Sequence, residues 1–196
     1  RLDLGDVARR FGFDSFEGFV ETFKWATAFL RGPDEYALVA DSLLCQLAQQ
    51  NVRYAEITLS VGAMLWRDID PAAVYEAVNR TARRHPEVEV WWIFDAVRHF
   101  GPEAAWPVVK LAADRAQDRV VAFGLGGDER RGPASWFTPL LEFAKRHGLR
   151  LTIHAGETAG PESIWDALRC GAERIGHGTS AIRSPELIEH LRAHQI

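Results

Sequence analysis

Apolar positions follow two rhythms along this chain, and the first gives way to the second near residue 52. Before that point the spacing is helical. Phe16, Phe19, Val20, Phe23 and Leu30 recur every three or four residues. They follow Asp14 and Glu17, a capping-box pattern with Asp as the cap. Gly32-Pro33 breaks the run, and Tyr36, Val39, Ala40, Leu43, Leu44 and Leu47 mark one face of a second helix. After it, short β-rich apolar runs at 52–59, 88–94, 119–125, 150–154 and 174–176 alternate with amphipathic stretches. Asp70-Pro71 and Ser184-Pro185 each place a cap residue before a proline at the first helical position. Pro161-Glu162 opens a helix that ends near Cys170-Gly171.

Strands alternating with helices predict βα units and a parallel sheet. The near-continuous apolar character of the strands fits a sheet covered on both faces. A doubly wound dinucleotide-binding sheet would show GxGxxG after its first strand; here stands Ser60-Val61-Gly62-Ala63. Polar residues gather instead at the ends of several strands: Glu56, Asp95 and Arg98, Gly127-Asp128-Glu129, His154 and Glu157, and His177. That distribution predicts the top face of a (β/α)8 TIM barrel. The expected organisation is one α/β domain over 1–196, with helices over 1–50 and βα units over 51–196. A full barrel takes about 250 residues, and this chain has 196. Arg1 opens it and a helical stretch without a stop signal closes it, so it is expected to be a section of a longer barrel.

Composition narrows the class of function. A net charge of −4 without a basic block argues against a nucleic-acid partner. Two widely separated cysteines, Cys45 and Cys170, make neither a disulfide framework nor a CxxC site, which points to a reducing, cytoplasmic setting. No apolar run is long enough to span a membrane, and no signal peptide opens the sequence.

Three stretches can carry chemistry. In His154-Ala-Gly-Glu157 a strand ends in an imidazole able to ligate a divalent metal, and Glu157 can face the same cavity as a general acid or base. The plain alternative is a core histidine and a helix-capping glutamate. In Arg174-Ile-Gly-His177-Gly a second strand-end histidine lies between glycines; a turn histidine is the alternative. In Gly124-Leu-Gly-Gly127-Asp-Glu129 the phosphate-loop spacing is missing, and bare backbone N–H groups can approach a flat heterocycle. Asp128 and Glu129 are equally readable as a solvated loop paired with Arg130 and Arg131.

Taken in order, Gly-Gly-Asp-Glu, His-Ala-Gly-Glu and Arg-Ile-Gly-His-Gly resemble the adenosine deaminase family of metal-dependent aminohydrolases. The stretch Asn51-Val-Arg-Tyr-Ala-Glu56 resembles that family's second strand. The resemblance implies a (β/α)8 barrel with one zinc at its mouth, of which this chain supplies about strands two to six. By the same resemblance His154 is a zinc ligand, and Glu157 protonates the purine ring nitrogen beside the reacting carbon. His177 holds and deprotonates the attacking water, and Gly127 is a backbone donor to the purine. The family's His-x-His pair and its late Asp pair, which supply further zinc ligands, have no counterpart here. Gly124 stands where the family's typical Asp-Leu-Ala-Gly-Asp-Glu has its first Asp. The implied function is zinc-dependent hydrolytic deamination of a small purine nucleoside, adenosine or 6-aminodeoxyfutalosine. RIGHG rather than RIDHG favours a nucleoside over free adenine, while the Gly loop and Asp95-Ala-Val-Arg98 resemble the 6-aminodeoxyfutalosine branch. Adenine deamination, or a non-catalytic barrel section that binds a purine or a partner chain, are the alternatives.

Overall fold

A computed structural model of the chain describes residues 3–196. The chain divides into two compact units, Arg1–Asn51 with Ile69–Pro86, and Val52–Asp68 with Glu87–Ile196.

The first unit is helical. It holds α1 (Leu4–Arg10), α2 (Phe16–Thr27) and α3 (Pro33–Gln49); α4 (Val61–Trp66) belongs to the second unit, and α5 (Pro71–Ala82) to the first. The cap of α2 is Ser15, not Asp14. Ser15 has extended backbone, and its Oγ accepts the Gly18 N–H at 3.0 Å, a geometry open only to the residue directly before the first turn. The helix stops at Thr27, so Leu30 falls beyond it. The Phe16 side chain lies outside the described residues, and Phe19 and Phe23 are exposed, with their rings 6.2 Å apart. Pro33 opens α3 as expected. Only Ala40 and Leu44 of its apolar face are fully buried, and α3 packs on α5. The α5 side chains Val74, Tyr75 and Val78 are buried. Asp70 caps α5, its carboxylate accepting the N–H groups of Ala72 and Ala73 at 2.9 and 3.3 Å.

The second unit is a sheet with helices. Strands β1 (Tyr54–Leu59), β2 (Glu89–Val97), β3 (Val120–Gly126), β4 (Arg150–Ala155) and β5 (Arg174–His177) lie in the order β1-β2-β3-β4-β5, all parallel. Helices α6 (Pro102–Asp114), α7 (Thr138–Arg146), α8 (Pro161–Arg169) and α9 (Pro185–His194) complete the βα alternation. The Pro161 and Ser184-Pro185 starts hold, with Ser184 Oγ accepting the Leu187 N–H at 3.3 Å. Helix α4 starts after Ser60, whose side chain makes no cap hydrogen bond. Val90, Trp92, Phe94, Phe123, Leu125 and Leu151 are fully buried on one face of the sheet, and on the other Ile93, Asp95 and Ala122 are buried as well.

One ion pair shows that this sheet curls. Four strand intervals of about 4.8 Å would hold the outer strands of a flat sheet roughly 19 Å apart. Arg174, the first residue of β5, nevertheless donates to the carboxylate of Glu56 on β1. The five strands are therefore one curled section of a barrel, in agreement with the expected fold class. Glu56 sits in the middle of β1, not at the strand end where the sequence pattern placed it. Its carboxylate also accepts the Tyr54 hydroxyl at 2.7 Å. Burial raises the Glu56 pKa, but Arg174 and Tyr54 outweigh it and hold the carboxyl below its usual value. Among the described residues no helix is long and apolar enough to cross a membrane.

Candidate active site

The C-terminal ends of β4 and β5 bring His154, Glu157 and His177 together. In the parallel register His154 pairs with Gly176 and Ala155 with His177. The two imidazole rings stand 4.8 Å apart and nearly perpendicular, and His177 Nε2 lies 3.5 Å from Glu157 Oε2. Gly176 makes the approach possible, since a Cβ there would come within 2.7 Å of His154 Cδ2. His177 itself has a φ of 67°, the left-handed region that non-glycine residues seldom occupy. Gly127 directly follows β3 with a φ of 89°, and a Cβ on it would meet His99 Nδ1 at 2.9 Å. It belongs to the neighbouring strand end and makes a separate corner of the mouth. Beside the trio opens a cavity of about 810 Å³, lined by Arg130, Glu157, Thr158, Thr179 and Arg183 among others. The cavity adjoins Glu157, while the two histidines lie outside its lining.

Beneath these groups lies a charged layer that the sequence only hinted at. Arg98 is 2% exposed. Its guanidinium donates to the carbonyls of His154 (2.6 Å), Leu125 (3.1 Å) and Gly132 (3.2 Å). Glu129 is buried too, which corrects its reading as part of a solvated loop. Its carboxylate accepts N–H groups from Gly156, Glu157 and Thr158 at 2.8, 2.8 and 3.1 Å, and the Ser163 hydroxyl at 2.6 Å. Burial raises its pKa, but these donors prevail and hold the carboxyl below its ordinary value. Asp128 does behave as a loop residue, capping the following turn through the Arg130 N–H.

Asp95 completes the layer. It pairs in register with Gly124, and Ser60 Oγ lies 3.5 Å away. A Cβ at Gly124 would reach Asp95 Oδ1 at 2.9 Å, and one at Gly126 would reach Oδ2 at 3.1 Å. Burial pushes the Asp95 carboxyl up to about 7, against the pull of Arg98, Ser60 and the Gly126 N–H. Between the unfolded value near 3.8 and about 7 the native state therefore keeps a proton that the unfolded chain releases. This group's contribution to stability declines as pH rises through that window. Asp95→Asn is expected to remove the decline, gaining about 2–3 kcal/mol on the parent between pH 5 and pH 8, at 1.36 kcal/mol per pKa unit. Urea titrations at the two pH values read the difference; parallel pH profiles for parent and variant would refute it.

As a donor for metal, His154 is suitably tuned. Burial first, then His177 and Arg98, hold its pKa below the usual value, which leaves the imidazole neutral and able to ligate at pH 7. His154 offers a nitrogen donor of the kind zinc takes, and a zinc site requires three or more protein ligands. Among the described residues the ligand atoms of one trio, Asp41, Cys45 and His85, lie within 4.8 Å of one another, in the helical unit. There the Asp41 carboxylate is already held by His85 at 2.9 Å and Arg84 at 3.2 Å.

The family profile described as adenosine deaminase matches residues 5–196. The chain belongs to the adenosine deaminase family. It is 39% identical over 197 residues to an aminodeoxyfutalosine deaminase of Streptomyces avermitilis, covering 97% of this chain and 55% of that protein. It is 33% identical over 183 residues to an adenine deaminase of a Chelativorans species, covering 91% and 56%. The chain thus spans about half the length of the curated relatives it matches. A crystal structure of adenine deaminase from Arthrobacter aurescens superposes with a TM-score of 0.88, at 23% identity, over 100% of this chain and 61% of that one. An amidohydrolase from Burkholderia ambifaria with bound Zn gives 0.78, at 24% identity, over 85% and 47%. At those identities the superpositions establish the fold, and the incomplete barrel agrees with it. Within this deaminase-family barrel His154, Glu157 and His177 come together and Gly127 stands just past the neighbouring strand, while Arg98, Glu129 and Asp95, marked in the sequence only as strand-end polar residues, are buried. Burial was the missing information: a charge at a strand end reads alike whether it faces solvent or a closed loop.

Proposed function

We propose that this chain is the central section of a zinc-dependent hydrolytic deaminase that releases ammonia from an adenosine-type nucleoside, with 6-aminodeoxyfutalosine as the preferred substrate. The convergence of His154, Glu157 and His177 on adjacent strand ends carries this reading. The similarity to aminodeoxyfutalosine deaminase, with Gly124 and Asp95-Ala-Val-Arg98 in the sequence, supports the substrate. His154 would hold the metal, together with ligands from the remainder of the full-length protein. Zinc, when bound, lowers the pKa of water to about 7 and so makes a nucleophile available at neutral pH.

The other groups have separable tasks. Gly127 presents its N–H to the purine ring and fixes its orientation. Glu157, as general acid, delivers a proton to the ring nitrogen beside the amine-bearing carbon, which stabilises the adduct that forms when aromaticity is broken. His177 takes one proton of the attacking water and returns it to the departing amine, so that ammonia leaves neutral, while the hydroxyl proton remaining on the carbon passes to the Glu157 carboxylate as the carbonyl forms. The free thiols Cys45 and Cys170 suit a cytoplasmic setting.

Adenine deamination is the second reading, favoured by the adenine deaminase relative. Ammonia release from 6-aminodeoxyfutalosine, adenosine and adenine, measured on the zinc-loaded full-length protein, separates the two. The highest kcat/KM is expected with 6-aminodeoxyfutalosine. Preference for adenine would establish the second reading. Purine binding without turnover of any of the three would leave a non-catalytic module and overturn the proposal.

A further inference from the structure

Glu129 fills a cluster of converging backbone donors. Gly156 adopts a φ of 75°, which turns the N–H groups of Gly156, Glu157 and Thr158 towards one point. Successive backbone donors converging in this way form a concave anion nest. Here the anion is the chain's own carboxylate. Its Oε1 takes the Glu157 and Thr158 N–H groups, and its Oε2 takes those of Gly156 and Ser163 Oγ. Four charge-assisted bonds from one buried carboxylate are a heavy investment in a single loop. The two ends of this latch are informative. Glu129 lies two positions after Gly127 on the loop that leaves β3, while the nest lies on the loop that leaves β4. Ser163 also donates from the first turn of α8. Because Glu157 is held by its own backbone N–H, the origin of its side chain is fixed relative to the β3 loop.

We propose that Glu129 is a positioning residue that latches the β3 loop to the β4 loop, setting the separation between the Gly127 N–H and the Glu157 carboxyl across which the purine is gripped and protonated. The latch itself is independent of any substrate, and its catalytic consequence rests on the deaminase reading above. Loss of the latch leaves the sheet intact and lets the two loops drift, so the effect falls on proton delivery more than on overall stability.

The test uses Glu129→Gln and Glu129→Asp in the full-length protein. Glu129→Gln turns one acceptor oxygen into an NH2 group facing backbone donors. Amide exchange at 156–158 is expected to rise by roughly 10- to 100-fold, with 151–154 in β4 unchanged. With 6-aminodeoxyfutalosine, kcat per bound zinc is expected to fall about 100-fold, as for a small misplacement of a reacting group, with KM moving much less. Glu129→Asp, which keeps the charge on a shorter arm, is expected to recover part of the rate. Unchanged exchange at 156–158, or a rise spread evenly over β3, β4 and β5 with zinc loss, would overturn the latch. Localised exchange with an unchanged kcat would overturn the positioning role. If the parent protein turns over none of the three purines, the deaminase reading fails, and the exchange measurement still decides the latch. Should Glu129→Gln fail to fold, Ser163→Ala removes one donor from the same carboxylate and also an acceptor of the Gly156 N–H, so the readout is at 157 and 158, where a smaller rise is expected; none there would count against the proposal.

Discussion

In the full-length protein, Glu157→Gln is expected to lower kcat for ammonia release by about 10²- to 10⁴-fold, the usual worth of a positioned acid or base. The substitution keeps the shape and the backbone N–H that bonds to Glu129, so the loop after β4 should stay in place. What disappears is a transferable proton. The amide can still hydrogen-bond the ring nitrogen, so KM is expected to change much less than kcat. Zinc content should equal that of the parent, since His154 is untouched. A KM-dominated loss with kcat preserved would show instead that Glu157 binds substrate without donating a proton. His177→Asn provides the contrast: it removes the group 3.5 Å from Glu157 and is expected to lower kcat while leaving the Glu157 carboxyl in place.

Arg98→Met should be the most costly change to stability in the second unit, about 3–5 kcal/mol. Methionine approximates the volume of the arginine stem but offers no donor. Three buried carbonyls, of His154, Leu125 and Gly132, lose a partner at once. Glu129 and Asp95 favour the protonated form of the guanidinium against the stronger opposing effect of burial, and it in turn pulls the Asp95 carboxyl down. Removing it leaves Asp95 without that cation, while Glu129 keeps its four donors. Adding Asp95→Asn to Arg98→Met should therefore cost less than the sum of the two separate effects, because the neutral amide no longer needs the cation. Urea denaturation of the four forms measures this coupling, and strict additivity would refute it.

The fold was legible where the chain repeats a simple physical demand. Runs such as 88–94 are apolar on both faces because one packs against helices and the other looks into the curled sheet, and proline after Asp70, Gly160 and Ser184 marks helix starts through its fixed φ. Sequence position was less informative where two neighbours share the same chemistry. Asp14 and Ser15 both suit a helix cap, and only backbone geometry selects Ser15. Glu56 and Glu129 show the same limit over longer range. Each looked like a strand-end acid, yet one is a strut to Arg174 and the other is closed inside a loop. Their partners lie far along the chain, so no local pattern could name them. The trio at the mouth was easier to find because β4 and β5 are sequential neighbours and their end residues meet directly.

The pairing of Asp95 with Gly124 has a bearing on how sequences of this kind can change. The two positions are in register on adjacent strands, and a side chain at 124 would enter the space that the Asp95 carboxylate occupies. One acidic group fits there, and in this chain β2 contributes it. A lineage that moves the acid from β3 to β2 must empty position 124 before it fills position 95, or suffer a collision inside a packed layer. The intermediate on that path has a small void and no acid at all. Substitutions at 95 and 124 are thus bound to one another in order as well as in kind, and residues transplanted singly between relatives at this point should fail where the pair succeeds.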